Sequence, residues 1–342
     1  MSKKITVTIC GGGNLAHAQA AYLARKGHIV NILTRRPEDW ATSLNAVFFD
    51  GLHKNVELHI VTSSPAIIEN SEVVIISLPR FAIETVAEQL LPHLTNEQLV
   101  VLAPGTPWLQ QVQNNTRWKD KKLCGLYKVP FISRTENYGH SVSVLGSREV
   151  NRVWFSDVSL RSYIPLLEDM FDTPLVELTS AWPFVLTNSN PLLHPSRLVV
   201  MFREYEEGVY YDHNFLFYEE WTQESSELYI AADRELLSMC ERCSGMVVGK
   251  DIVPVTEYYE SPDAESLTRK INNINAFKGI QSPMIQHLEG WVPDFSSRYF
   301  TEDVEWGTVP ICEYARLLGL DTPVLDYFVS WTRSMMARFV KP

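Results

Sequence analysis

Three stretches of this chain carry residue types and spacings that can do chemistry. In Asn190-Pro-Leu-Leu-His194-Pro195 a histidine stands between prolines that fix the local backbone. An imidazole, with a usual pKa of about 6.5, serves as general acid or base near neutral pH. A lone histidine is more often a surface or capping residue. What favours chemistry here is its place, just past a change in the character of the chain. In Ser297-Arg298-Tyr299-Phe300-Thr301-Glu302-Asp303-Val304, Arg298 can clamp a substrate carboxylate in fork geometry, and Asp303 can orient an imidazole and stabilise its protonated form. The same run also suits a plain helix start, with Ser297 or Thr301 as N-cap and acids in the first turn. Spacing alone leaves both readings open. The third stretch is Gly11-Gly12-Gly13-Asn14-Leu15-Ala16.

That glycine cluster has the context a dinucleotide site needs. The β-branched run Ile5–Cys10 enters it, and a helix-forming run, His17 to Arg25, leaves it. Gly11 allows the tight turn, Gly13 keeps no side chain between backbone and pyrophosphate, and Ala16 lets the helix pack closely on the strand. The helix N-terminus offers free N–H groups to the phosphates. At the end of the second strand, Gly27–Thr34, an NAD enzyme usually places an acid about 20 residues past the glycines. Here the residues are Thr34-Arg35-Arg36-Pro37, with no carboxylate before Glu38. A guanidinium suits a 2′-phosphate, so NADP is expected over NAD.

The elements that position these residues alternate as in an α/β fold. Strands are expected at Val56–Val61, Glu72–Leu78, Gln98–Leu102, Leu126–Phe131 and Ser141–Leu145, with a helix over Phe81–Leu91. The loops at Pro79 and at Pro104-Gly105 leave the carboxyl ends of strands, where open α/β sheets bind ligands; they are candidates to line the nicotinamide half of the site. Near Trp182-Pro183 strand patterns give way to helical ones: Pro191–Tyr205, Phe217–Tyr229, Ala231–Cys243, Ala264–Ala276 and Ile311–Leu318. The expectation is a Rossmann-type dinucleotide-binding domain over residues 1–183 and a mainly α-helical substrate domain over 184–342. Substrate is then expected in the cleft between the two.

Composition supports that class. The 342 residues are 45% hydrophobic and 21% charged, with a net charge of -11. The acidic balance argues against nucleic acid or an anionic membrane as partner. No apolar run approaches the ~18 residues of a membrane span, and the short start before the first strand leaves no room for a secretory signal. A cytoplasmic location is expected, and a homodimer is compatible with this plan. Five cysteines fit a reducing compartment. Cys240 and Cys243 lack further ligands for zinc and read as two helix thiols. Glu204, Glu206, Glu207, Glu219 and Glu220 favour a cationic substrate or, more simply, a solvated helix face.

Taken together, Gly11-Gly12-Gly13-Asn14-x-Ala16-His17, Asn190-x-x-x-His194-Pro195 and Ser297–Val304 followed by Gly307 resemble the opine dehydrogenase family, its octopine/nopaline branch in particular. Weaker echoes are Pro130–Arg134, Phe217-Tyr218-Glu219 and Asp233-Arg234-Glu235. The resemblance implies that His194 and Asp303 form a catalytic pair, that Arg298 holds a carboxylate and that Asn190 helps position substrate. It further implies reductive condensation of a 2-oxo acid with the amino group of an amino acid; NADPH, expected from Arg35 and Arg36, is the reductant, and no metal is expected. The chain departs from the branch at Leu15 and at Glu305-Trp306. Two other readings stand beside this one: a two-domain NADP dehydrogenase of a simple keto or hydroxy acid, and a non-catalytic NADP sensor.

Overall fold

The structure, a computed structural model, describes residues 4–340. The chain divides into two compact units at Phe184/Val185.

In the first unit β1 (Thr6–Cys10) enters the glycine turn, α1 (Asn14–Arg25) leaves it, and β2 (Ile29–Leu33) returns parallel to β1. There follow β3 (Ser43–Phe48), β4 (His53–Glu57), β5 (Ile60–Thr62), β6 (Val73–Ile76), α2 (Arg80–Leu90), β7 (Leu99–Leu102) and α3 (Trp108–Val112). The unit closes with β8 (Lys122–Leu126), β9 (Phe131–Asn137), β10 (Ser141–Ser147), β11 (Asn151–Phe155), α4 (Ile164–Phe171) and β12 (Leu175–Glu177). Eight strands form the main sheet, in the order β12-β11-β8-β7-β6-β1-β2-β5, parallel throughout except between β8 and β11. Every residue of β6 and β7 is buried, which is why both read as unbroken apolar runs.

A second sheet, in the order β4-β3-β10-β9, covers the other side of α1. Ala16, Ala18, Ala20 and Ala21 are fully buried, and one core joins Val7 and Ile9 of β1 to Leu44 of β3 and Val142 of β10. A helix pressed from both sides needs small residues all round, and α1 supplies them. Two strand expectations need correction here. Val56–Val61 is the meeting of two strands: β4 ends in the second sheet and β5 begins in the first. The switch is visible in adjacent amides, where Leu58 N–H donates to Thr42 O and His59 N–H donates to Val30 O. Residues 126–131 bridge β8 and β9 instead of forming a strand; Pro130 has no N–H to give a ladder.

The second unit is mainly helical: α5 (Asn190–Phe202), α6 (Gln223–Cys240), α7 (Val255–Tyr258) and α8 (Ala264–Asn272). A hairpin of β13 (Met284–His287) and β14 (Gly290–Pro293) follows, then α9 (Arg298–Thr301), a π-helical turn (Val304–Thr308), α10 (Val309–Leu317) and α11 (Pro323–Phe339). The two helices expected at Phe217–Tyr229 and Ala231–Cys243 are one. It starts at Gln223, because Thr222 accepts a bond from Ser225 N–H as N-cap, and no breaker follows until Cys240. Residues 217–221 form a loop pinned by Phe217 N–H to Ile280 O at 2.7 Å.

Asp233-Arg234-Glu235 proves structural at both acids. Asp233 accepts from Val255 N–H at the start of α7, and Glu235 accepts from Val324 and Leu325 N–H at the start of α11. Cys240 and Cys243 are buried, which pushes their thiols up to about 12 and about 11. No group of potential metal ligands occurs among the described residues, nor any helix long and apolar enough to cross a membrane.

Candidate active site

The nucleotide turn is shaped by what its glycines approach. Gly11 has φ +148°, and a Cβ there would meet Ser77 O at 2.3 Å. A Cβ on Gly12 would meet the Tyr138 hydroxyl at 2.5 Å. Gly13, the N-cap of α1, has nothing within 4 Å of where a Cβ would stand and is exposed. The helix N-terminus with its unpaired N–H groups therefore faces open space, as a pyrophosphate requires. Ala16 is fully buried behind the turn and Leu15 packs on the core. Asn14 is already engaged: its side-chain oxygen accepts from Thr135 N–H at 3.1 Å, tying the turn to β9.

His17 braces the same turn. With Nδ1–H donating to Gly13 O at 2.9 Å, Nε2 accepts from Gly139 N–H at 2.8 Å. The ring stacks on Trp40, centroids 4.1 Å apart. Burial pulls its pKa down, the Gly13 bond opposing in part. Arg35 and Arg36 are exposed at the end of β2. Arg36 lies over the Tyr138 ring at 4.3 Å and pairs with Asp39 at 3.4 Å. A hollow of about 460 Å³ opens there, lined by Arg36, Glu38, Asp39, Asn137, Tyr138 and His140. Pro79 is the exposed N-cap of α2. Gly105, after Pro104, owes its missing side chain to packing: a Cβ would meet the Phe184 ring at 2.3 Å.

In the second unit, α5 and the turn after α9 bring together two residues 109 apart in sequence. His194 Nδ1 lies 2.8 Å from Asp303 Oδ2. The imidazole is buried, and the carboxylate is 22% exposed. On the other edge of the ring, Nε2 lies 2.9 Å from the Tyr218 hydroxyl. With Nδ1–H donating to Asp303, Nε2 accepts from the phenol. Burial, followed by neighbouring Tyr299, Tyr259 and Asp303, pushes that phenol well up, and it stays protonated. Tyr299 packs on the imidazole at 4.4 Å between centroids and Phe217 at 5.5 Å. Gly307 lets the π turn close on α5, since a Cβ there would meet Pro191 at 2.7 Å. An imidazole fixed at one nitrogen and hydrogen-bonded at the other is built to exchange a proton through Nε2.

The family model for the α-helical domain of NAD/NADP octopine/nopaline dehydrogenase matches residues 177–336, and that for NADP oxidoreductase coenzyme F420-dependent matches residues 6–103. Tauropine dehydrogenase of Arabella iricolor is 26% identical, with 98% of this chain and 92% of the relative covered. Octopine dehydrogenase of Pecten maximus is 25% identical, covering 98% and 91%. The chain is thus similar to opine dehydrogenases over nearly its whole length. A solved octopine dehydrogenase with NADH and L-arginine superposes with a TM-score of 0.84 at 23% identity, over 98% of this chain and 90% of that one. A ketopantoate reductase from Ralstonia eutropha JMP134 gives 0.64 at 12%, over 98% and 99%; both likenesses are of fold alone.

The other residues of the resemblance take quieter positions. Arg298 is 79% exposed and pairs with Glu302 at 3.3 Å. Asn190, the first residue of α5, is exposed. Glu305 forms a two-point pair with Arg333 of α11, both bonds at 2.8 Å, so its departure from the branch pattern anchors the last helix. Glu219 and Glu220 cap the loop, accepting from Gly279 and Leu216 N–H at 2.7 Å each. Sequence reasoning passed over Tyr218 and Tyr299 as chemistry. The signal for Tyr218 was there, in the echo Phe217-Tyr218-Glu219, but only the fold brings it to the imidazole.

Proposed function

We propose that this chain is an NADPH-dependent opine dehydrogenase: it condenses a 2-oxo acid with the amino group of an amino acid and reduces the product to a secondary amine. The observation that carries this reading is the His194–Asp303 pair, 2.8 Å apart, with Nε2 as the free working edge once the Tyr218 hydroxyl yields it.

Gly11, Gly13 and the N-terminus of α1 would hold the dinucleotide, with Arg35 and Arg36 toward its 2′-phosphate. When bound, the nicotinamide supplies the hydride. The protein's residues manage protons and position. His194 Nε2 takes the proton from the substrate ammonium, so that the neutral amine can attack the keto carbon. The same nitrogen returns a proton to the hydroxyl that leaves as water, and the C=N bond is then ready for reduction. Asp303, at Nδ1, stabilises the imidazolium between the two transfers. Arg298 is assigned to the 2-oxo acid carboxylate, for which it must exchange Glu302. Asn190, at the start of α5, is assigned to substrate positioning.

The test is NADPH oxidation across a matrix of 2-oxo acids and amino acids. Turnover that needs both organic substrates is the expected result. Turnover with a keto acid alone would make this a simple keto-acid reductase, and nucleotide binding with no turnover for any pair would make it a sensor.

A further inference from the structure

Arg197 follows His194 by one turn on α5, and it is a buried cation with nothing to pair with. It is 4% exposed and its Nε has no hydrogen-bond partner. Among the described residues no carboxylate stands within ion-pairing distance of its guanidinium. The carboxylate whose field reaches it is Glu220. That group is committed elsewhere: it accepts from Leu216 N–H at 2.7 Å and stands 3.8 Å from the His213 ring nitrogen. Buried guanidinium groups are normally matched by a carboxylate, because stripping water from the charge is costly. Burial lowers the Arg197 pKa to about 10, with Glu220 opposing. The group therefore keeps its charge at neutral pH.

Its direction follows from helix geometry. Side chains on a helix lean toward the N-terminus, and positions three apart share a face. Arg197 thus shares the face of α5 that carries His194, one turn on. The loop that holds Glu220 within its field also supplies Tyr218 to the imidazole and Phe217 to its face. A charged fork with unspent donors, beside the group that handles the substrate nitrogen, is what an anion adjacent to that nitrogen needs.

We propose that Arg197 receives the α-carboxylate of the amino-acid substrate. This rests on the condensation reading above, in which two carboxylates must be held, one on each side of the new C–N bond. Arg298 serves the 2-oxo acid; Arg197, next to His194, serves the partner whose amine His194 deprotonates.

The experiment compares each standard amino acid with its decarboxylated amine, by calorimetric binding to the NADPH-loaded protein. It is run on wild type, Arg197→Met and Arg197→Lys. Wild type should prefer the amino acid by about tenfold or more, as a charge-assisted pair implies, and Arg197→Met should lose that preference. Lysine should restore part of it. Affinity for the 2-oxo acid and NADPH should stay within about twofold, uniform effects being the mark of a general disturbance. Because the charge is unpaired, Arg197→Met should melt at or above wild type. A preference kept by Arg197→Met overturns the proposal, as does a drop in melting temperature with no change in preference. If Arg197→Met does not fold, the same comparison on Arg197→Lys decides. Carboxylate-dependent binding lost with Arg197, but without turnover for any pair, would sink the condensation reading and leave this assignment standing.

Discussion

The Thr308 hydroxyl donates to the main-chain oxygen of Pro191 at 2.6 Å, and that oxygen is the one left without a helical donor by Pro195, four residues on. A proline inside a helix removes one N–H and orphans one carbonyl. Here the orphan is taken up by the turn that starts at Asp303. The two halves of the His194–Asp303 pair are thus joined by a bond that the proline beside the histidine makes necessary. Thr308→Val keeps the shape and removes the donor. It should cost about 1–2 kcal/mol of stability, the usual consequence of an unsatisfied buried polar group. Turnover should fall with it while nucleotide affinity holds. Thermal melting and a nucleotide titration check both; unchanged melting would mean that the bond carries no load.

His194 and Asp303 should behave as one unit. His194→Ala should lower kcat by about 10²–10⁴, the range of a positioned acid–base group, with NADPH still bound. Asp303→Asn should cost much of the same, and the double variant little more than the worse single one. Losses that multiply in full, in a folded protein, would argue for two independent roles.

Tyr218→Phe should separate positioning from binding. The phenol fixes the imidazole edge opposite Asp303. Its loss frees the ring to tilt, at a cost near that of one hydrogen bond, about 0.5–1.5 kcal/mol. kcat should therefore fall several-fold to about tenfold, with the KM of each organic substrate little changed. A large KM effect at constant kcat would place the hydroxyl on a substrate instead.

What the sequence made legible follows from how local each signal is. The glycine turn, β6, β7 and the helical second unit rest on neighbours in the chain, and all stand in the structure. The second sheet does not rest on neighbours: β3 pairs with β10, about a hundred residues away. Its strands have short patterns, and Leu58 and His59 change sheets without a break in the alternating Val56–Val61 pattern. The same limit governs the site. Asp303 was equally well read as part of a helix start, since only the fold lays it against His194. Gly105 looked like a ligand-facing residue because it follows a strand, whereas the Phe184 ring already occupies its open side.

Acid should weaken the first unit through His17. Burial holds its folded pKa below that of the unfolded chain, and His28 is shifted the same way. As pH falls through about 6.5 the unfolded state takes up the proton first, so stability present above that value is lost below it. Protonation also removes the acceptor for Gly139 N–H and so loosens the turn at Gly13. Urea midpoints at pH 7.5, 6.5 and 5.5 should decrease in that order, and nucleotide affinity should fall with them. A midpoint that rises toward pH 5.5 would contradict this assignment.

Cofactor choice should turn on Arg36 and its neighbours. The guanidinium is 60% exposed, lies over Tyr138 and borders the hollow at the end of β2. Its pairing with Asp39, at 3.4 Å and in contact with solvent, is weak enough to be exchanged for a phosphate. Replacing Arg35 and Arg36 together by serine should weaken NADPH binding by about 10–100-fold, as the loss of charge-assisted bonds predicts. NADH binding should change by less than about threefold. Asp39→Asn acts in the opposite sense: it removes the competing carboxylate, so NADPH should bind more tightly and NADH should gain nothing. Fluorescence titration of both nucleotides against the three proteins measures this. Equal losses for the two nucleotides in the double serine variant would refute the NADPH assignment. So would an Asp39→Asn variant that loses NADH affinity selectively, because Asp39 would then be serving a ribose 2′-hydroxyl, the role an acid at this point plays toward NAD.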